Sequence, residues 1–331
     1  MNEEKVTIIV GIYNSGKFLR KGLDSLRTQT WSNIEVLLMD DGSTDDSVII
    51  CDEFAKLDKR FVPIHKKNSG VCDSRNKALD VASGAYVCFM DGDDWFSPDF
   101  VEYMMNIIHS TKTQMALSDH LFTTRDQKQI VSDKIEIQDC NRVIADIIYM
   151  NMVLGPWNKI YSMDLINEYH IRFPSHWFGE TLHFANSIAY YAKNVGVGHR
   201  KVYNYRLNNA DSGTTKFNVN TRLLSLENCL NLRKCLFAKE NAVKNAIEWH
   251  IYANYYELLL NIIATNSKSQ YKLEYNESKS YLKKNWFKIL IRSEVCFKRK
   301  IAIIVEAFFP KIFAKMRIKK QQYNLSKDKM K

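Results

Sequence analysis

Four short apolar runs constrain this chain more than any other feature in it. They are Val6–Val10, Ile34–Met39, Phe61–His65 and Tyr86–Met90. Each is rich in residues that suit a packed pleated surface, and each stops abruptly at a polar turn. Between them the apolar spacing turns helical. Phe18, Leu19, Leu23 and Leu26 mark one helix, a second runs to about Leu57, and a third spans Val71 to Ala82. Strand and helix therefore alternate from the start, which means a parallel sheet with right-handed crossovers, an α/β fold. In such a sheet ligands gather at the carboxyl ends of the strands. The four turns are where function is to be sought.

The first turn is Gly11-Ile12-Tyr13-Asn14-Ser15-Gly16, in which Asn14 or Ser15 can cap the next helix. Gly11 to Lys17 fits G-x-x-x-x-G-K, but Phe18 stands where a hydroxyl should hold magnesium, so a P-loop is rejected. No G-x-G-x-x-G is present either. The second turn, Asp40-Asp41-Gly42-Ser43-Thr44-Asp45, supplies a helix cap at Ser43 or Thr44. Two further acids exceed what a cap needs, and a carboxylate here can accept hydrogen bonds from a base or a ribose. The third turn, Lys66 to Gly70, leads into a helix that carries Arg75 in its first turns, where an anion is already favoured. An isolated arginine is more often a surface residue, yet this fork suits a diphosphate. The fourth strand runs into Asp91-Gly92-Asp93-Asp94. Carboxylates this close repel one another, and a hard divalent cation with oxygen ligands relieves that. Each signal alone is weak. All four fall on one rim.

Charge divides the chain unevenly. Lys283 to Lys331 holds 15 Lys/Arg and 3 Asp/Glu, a net of +12, while the rest is at −2. Such a basic tail points to an anionic partner. Seven cysteines are scattered singly with no CxxC, which reads as reduced, mostly buried thiols in a cytosolic protein rather than a disulfide framework or a cysteine zinc site. The opening residues lead straight into a strand without a signal-peptide pattern.

The linked segments Thr7–Asn14, Met39–Asp45, Asn68-Ser69-Gly70 with Arg75-Asn76, and Met90–Trp95 together resemble glycosyltransferase family 2, inverting enzymes of the GT-A fold. The resemblance covers about the first 215 residues. It implies a Rossmann-like nucleotide-sugar domain with a mostly parallel central sheet over 1–220. A C-terminal helical region over 221–331 follows, with a basic amphipathic tail from about 283. It further implies that Gly11, Tyr13, Asn14, Asp40 and Asp41 hold the nucleotide, with Tyr13 stacked on uracil and Asp41 bonded to its edge. Arg75 would face the diphosphate, and Asp91 and Asp93 would form a D-x-D site for Mn2+ or Mg2+. Gly155–Tyr161 resembles the family's W-N-K-L-Y segment, which places Trp157, Asn158 and Lys159 near the acceptor or donor sugar. Tyr203–Arg206 followed by Ser212-Gly213-Thr214 resembles its Y-x-Y-R…S-x-T segment, with Arg206 reaching the diphosphate.

Two positions depart from the family. Gly11 replaces a usual proline, which the turn should tolerate. In Phe178-Gly179-Glu180-Thr181, threonine stands where the family's aspartate base usually lies. Glu180 is the nearest carboxylate, either as the base or as a structural acid at a helix start. His183, one helical turn on, could orient Glu180, act as base, or pack in the core.

The expected activity is transfer of a sugar from a nucleotide sugar, a UDP-sugar for preference, to a hydroxyl of a glycan or lipid-linked acceptor. The resemblance points to a bacterial surface polysaccharide such as capsule or O-antigen. A binding module that has lost its base, or a sugar nucleotidyltransferase, are the alternatives; the latter's Gly-rich signature with a following Arg and Lys is absent after the first strand. Beyond Thr221 the reading is helical, with Leu223, Leu224, Leu226 and Leu230 opening one stripe and Ile247 to Ile262 a second. A loop is expected over Asn266–Asn276. From Trp286 bulky apolar and basic residues alternate, and the run from Ile301 is too short to span a bilayer. It suits an interfacial helix on an anionic membrane better than nucleic acid, for which no reader motif is present. The protein is thus expected to be cytoplasmic and peripheral on the inner face of the plasma membrane.

Overall fold

The computed structural model describes residues 4–130, 133–174, 180–207 and 216–329, with Glu180 and 324–329 described by backbone alone. The chain divides into two compact units, Met1–Leu207 and Asn208–Lys331.

The first unit opens with β1 (Val6–Ile12), α1 (Gly16–Arg27), β2 (Ile34–Asp40), α2 (Ser47–Leu57), β3 (Phe61–His65), α3 (Val71–Val81) and β4 (Tyr86–Asp91). It continues through β5 (Trp95–Phe96), α4 (Phe100–Thr111), β6 (Met115–Ser118), β7 (Phe122–Thr123), β8 (Glu136–Asp139) and α5 (Cys140–Ile148). It closes with β9 (Lys159–Ser162), α6 (Met163–Glu168), α7 (Glu180–Ala192), β10 (Asn194–Gly198) and β11 (Tyr203–Tyr205). Eight strands form one sheet in the order β3-β2-β1-β4-β9-β6-β10-β8. The first four are parallel, and β9 and β8 run against their neighbours. Because β9 is antiparallel to both β4 and β6, those two point the same way. A second sheet, β5-β11-β7, stands apart.

The strands read as near-continuous apolar runs because both faces of the sheet are covered. Ile8, Val10, Leu38 and Met90 pack in one buried cluster with Leu19 and Leu23 of α1 and Met104 of α4. On alternate positions Phe89 meets Phe173, Phe184 and Tyr161 edge-on, with centroids 5.4–6.0 Å apart. Of the cysteines, five are buried, Cys235 is half-buried and Cys296 exposed; none is disulfide-bonded.

The helix caps differ from those expected. Ser15 sits at the N-cap of α1 without a side-chain cap bond, and Asp45 supplies it instead, its Oδ2 accepting from Gly16 N at 2.9 Å. The other oxygen of Asp45 accepts from Ser47 N at the start of α2. One carboxylate thus serves two helix starts, where its charge also meets both dipoles. Ser43 and Thr44 are thereby left to other work, described below. Gly11 and Ile12 are not turn residues but the end of β1, paired with Met39 and Asp40 of β2.

The second unit is helical: α8 (Val219–Asn231), α9 (Asn241–Ala264), α10 (Lys272–Arg292), α11 (Phe297–Phe308) and α12 (Pro310–Lys329). The loop expected to reach Asn276 is shorter, since α10 starts at Lys272. Helix α9 is its centre, with Tyr252 and Tyr256 fully buried and Tyr252 Oη donating to Ile303 O at 2.9 Å. Helices α11 and α12 turn a different face outward. Phe297, Ile301, Ile304 and Phe308 are exposed at spacings of one helical turn, and Ile312 and Met316 continue this on α12. Lys298, Lys311 and Lys315 are exposed beside them. Inside, Glu306 is fully buried, and burial pushes its carboxyl up to about 7 against the pull of Arg299 and Arg317. No helix among the described residues is long and apolar enough to cross a membrane.

Candidate functional site

Parallel pairing sets the level of the functional side chains. Gly11 lies opposite Asp91, and Ile12 opposite Asp40, so three strand ends finish together on one rim. Beyond that level the turns lock into one another. Asn14 adopts φ 49°, a left-handed conformation that Asn tolerates better than most residues. Its N–H donates to Ser43 Oγ at 2.9 Å, and its Oδ1 accepts from Thr44 N at 2.8 Å. Here Ser43 and Thr44 find their use. Tyr13, next to Asn14, is left 55% exposed on the rim.

The two acids of the second turn are both buried and hydrogen-bonded. Asp40 accepts from Ser43 N and from His65 Nδ1, each at 2.9 Å. Burial opposes the charge on His65, but its hydrogen bonds to Asp40 and Asp52 outweigh it and raise its pKa. Asp41 accepts from Ser69 N at 2.9 Å, from Gly70 N at 2.8 Å and from the Lys66 ammonium. A carboxylate has about four acceptor sites, and these three draw the 66–70 turn onto the rim.

The fourth turn is built for close approach. Gly92 N donates to Gly11 O at 3.0 Å, and a Cβ at Gly92 would stand 2.9 Å from Ser15 Oγ and 3.0 Å from Gly11 O. A side chain there would have to displace the Ser15 hydroxyl and press on the Gly11 carbonyl. Asp91 and Asp93 are part-exposed on either side of it, and Asp94 is buried. Arg75, itself buried, donates to Asp91 Oδ1 at 3.0 Å. Arg206 Nε donates to Asp93 O at 2.7 Å, with its guanidinium 4.2 Å from the Phe18 ring. Two arginines therefore flank the acid turn. The donor set fits a hard divalent cation, since Asp91 and Asp93 are part-exposed oxygen ligands pinned by a fixed backbone.

Asp94 is the residue that motif reading passed over. Burial, with Asp91 and Asp93 adding like charge, raises its pKa well above the carboxylate range. Its oxygens accept from Tyr203 Oη at 2.8 Å and from Arg206 N at 2.7 Å. This bond carries β11, and hence Arg206, to the acid turn. The signal was a third carboxylate straight after D-x-D. Asn76 has a structural part that its motif does not show. Its amide exchanges two 2.9 Å hydrogen bonds with the backbone of Phe173, fixing the chain that leads toward α7.

Burial revises the part expected of Asn158 and Lys159 as sugar contacts. Both are fully buried. Asn158 Nδ2 donates to Ser118 O and His120 O at 2.8 and 2.9 Å. Lys159 Nζ donates to Val153 O and Gly155 O at 2.6 and 2.7 Å, and burial pushes its ammonium down to about 7. They hold the turn rather than present themselves from it. Trp157 is half-buried, stacked on Tyr203 and Tyr205 at 4.8 and 5.1 Å. Glu180 starts α7, but its side chain lies outside the described residues, as do Phe178-Gly179 and Ser212-Gly213-Thr214. Thr181 is buried and His183 half-buried on the same helix.

The fold and the acid rim define an α/β protein of the GT-A glycosyltransferase class. Two solved structures share the fold. TarS of Staphylococcus aureus, residues 1–349 in complex with UDP-GlcNAc, superposes with a TM-score of 0.63 at 16% identity, covering 97% of this chain and 92% of that one. The mannosyltransferase PcManGT from Pyrobaculum calidifontis, in complex with GDP-Man and Mn2+, gives 0.54 at 15% identity over 92% and 87%. The profile of Glycosyl transferase family 2 matches residues 7–173, and the chain belongs to that family. EpsH of Bacillus subtilis is 32% identical over 216 residues, 62% of each chain. The glycosyltransferase GlyA of Streptococcus pneumoniae is 30% identical over 216 residues, 62% of this chain and 31% of its own. The match thus spans less than two thirds of either relative's length.

Proposed function

We propose that the chain transfers a sugar, with inversion, from a UDP-sugar to a hydroxyl of a glycan or lipid-linked acceptor in bacterial surface polysaccharide synthesis. The observation that carries this is the convergence on one rim of Gly11, Asp40–Asp41 and Asp91–Asp93, with Arg75 and Arg206 on either side of the acid turn. The nucleotide complexes of TarS and PcManGT, and the Mn2+ of the latter, support the reading through a shared fold.

In this account Tyr13 stacks on the base, which its exposure allows. Asp41 accepts from the base edge with the capacity its internal hydrogen bonds leave, while Asp40 and Asn14 hold the turns in register. Asp91 and Asp93 would hold the divalent ion, Mn2+ or Mg2+, which when bound would stabilise charge on the departing diphosphate. Arg75 keeps Asp91 in place and adds positive charge, and Arg206 adds more from the other side. The acceptor oxygen forms a bond to the anomeric carbon as the bond to the diphosphate breaks. Glu180 takes the hydroxyl proton, with His183 one turn away on α7 to orient it. Trp157, stacked on Tyr203 and Tyr205, supports the acceptor side of the rim.

The first unit carries this chemistry, and the second serves attachment to an anionic membrane at the cytoplasmic face. Six exposed apolar side chains on α11 and α12 lie among exposed lysines, as an interfacial helix requires. The test is a panel of UDP- and GDP-sugars with manganese, read by thermal shift and then by transfer, with the product's anomeric configuration read by NMR. A stabilising UDP-sugar whose sugar is transferred with inversion supports the account. Binding without transfer or slow hydrolysis would make the chain a binding module, as Thr181 in the family's base position would then explain.

A further inference from the structure

A second cluster of ligating side chains lies on the sheet rim away from the acid turn. Asp119 follows β6 directly and His199 follows β10, and these are parallel neighbours with Ser118 opposite Gly198. His120 completes the group, and one ligand atom from each residue lies within 4.8 Å of the others. Strand β6 is two places from β4 and β10 three, which sets the cluster about 10–15 Å along the rim from Asp91.

Asp119 is poorly satisfied for a carboxylate in this position. Its Oδ2 accepts from His199 Nδ1 at 2.9 Å. Its Oδ1 is buried without a hydrogen-bond partner among the described residues and faces His120 Nε2 at 3.6 Å. A buried acceptor left so is unfavourable, and a cation between the two imidazoles and the carboxylate satisfies it. Bonds of about 2.0–2.2 Å in a tetrahedral shell put ligand atoms about 3.3–3.6 Å apart. The three ligand atoms, within 4.8 Å of one another, reach that shell by side-chain rotation about a held backbone.

The backbone around the three residues is held from several sides. Asp119 N donates to Gly198 O at 3.1 Å, and His199 N to Asp133 Oδ1 at 3.1 Å. Ser118 Oγ donates to Arg200 O at 2.6 Å, and Asn158 Nδ2 to His120 O at 2.9 Å. Ligands set on a fixed backbone are what a metal site needs. Two imidazoles and one carboxylate select a borderline transition ion of the zinc class, not Mg2+.

We propose that Asp119, His120 and His199 form a second metal site, for a zinc-class ion, distinct from the acid turn. The ion replaces the His199–Asp119 hydrogen bond and ties the segment after β6 to the segment after β10. Asn158 extends that tie to the Trp157 turn, so the ion stiffens the part of the rim beside the aromatic stack. Three protein ligands leave a position for water or for an oxygen of a bound molecule.

Cobalt titration of the untagged full chain tests this, with the visible band of histidine-bound Co2+ as readout. Wild type is expected to take up one equivalent that Zn2+ displaces and excess Mg2+ does not. His120→Gln and His199→Gln should each weaken uptake roughly tenfold or more. The half-exposed His120 can be replaced without disturbing the metal-free fold, which circular dichroism checks. Asp93→Asn should keep the band. Equal Co2+ affinity in both histidine variants and wild type, or loss of the band in Asp93→Asn alone, would overturn the proposal.

Discussion

The acid turn of the first unit and the last two helices of the second treat charge in opposite ways. At the turn, two carboxylates stay at the rim while every surrounding group holds them in place: Arg75 on Asp91, Gly92 against Gly11, Asp94 under Tyr203. In α11 and α12 Lys298, Lys311 and Lys315 stay outside, apolar side chains stand among them, and one acid, Glu306, is turned inward. The first arrangement is small and rigidly held. The second leaves a broad surface of exposed apolar and basic side chains. The difference teaches that a site is recognised by what is fixed, and a surface by what is left uncovered.

The sharpest way to break the comparison is to remove the charge at the turn. Asp93→Ala should lower transfer on the order of a thousandfold, as losing electrostatic stabilisation of a leaving group does. Its vesicle binding should stay at the wild-type level. If both fall together, the two regions are not separable.

On the other side, Phe297→Ser with Ile301→Ser and Phe308→Ser removes three exposed side chains, each worth about 1–2 kcal/mol if buried in an interface. Partition onto anionic vesicles at low salt should drop roughly a hundredfold or more, measured by flotation. UDP affinity and thermal midpoint should hold. Unchanged flotation would leave the stripe without a membrane role.

Glu306 gives a smaller effect with a definite sign. Its folded pKa, about 7, lies above the ordinary 4.5, so the folded state binds more protons between those values. Stability is then fullest below about pH 4.5 and falls as pH rises through about 7. Glu306→Gln should raise stability by about 3 kcal/mol at pH 8 and change little at pH 4.5, read by urea denaturation at both. A variant less stable than wild type at pH 8 would mean that the ion pair with Arg299 outweighs burial.

Smallest is Asn14→Ala, which removes the bond to Thr44 N and a side chain suited to φ 49°. It should weaken UDP binding by about 1 kcal/mol through the turn it props. A loss confined to stability would make Asn14 a structural residue alone.

How much of this was legible follows from which forces act locally. The four parallel strands ended within a residue or two of their apolar runs, because each run is a complete buried strand closed by a turn. Strands β6, β8, β9 and β10 gave no such signal, since partners outside the strand–helix alternation place them. Family resemblance pointed to Trp157, Asn158 and Lys159 together, but burial separates them, and nothing in three adjacent letters tells an amide on a carbonyl from an amide on a sugar. Asp94 was visible as a letter and hidden as a role, since Tyr203 and Arg206 reach it from more than 100 residues away. Caps failed for the same reason: Asp45 caps a helix that begins 29 residues earlier.

The central claim is that the rim holds a nucleotide diphosphate through a cation on Asp91 and Asp93. Calorimetry of UDP binding, with and without Mn2+, on wild type and Asp93→Ala tests it most directly. The account predicts that Mn2+ tightens UDP binding in wild type by roughly tenfold or more and that Asp93→Ala abolishes this gain while keeping the weak metal-free affinity. Equal UDP affinity with and without Mn2+ in wild type, or an undiminished gain in Asp93→Ala, would contradict it.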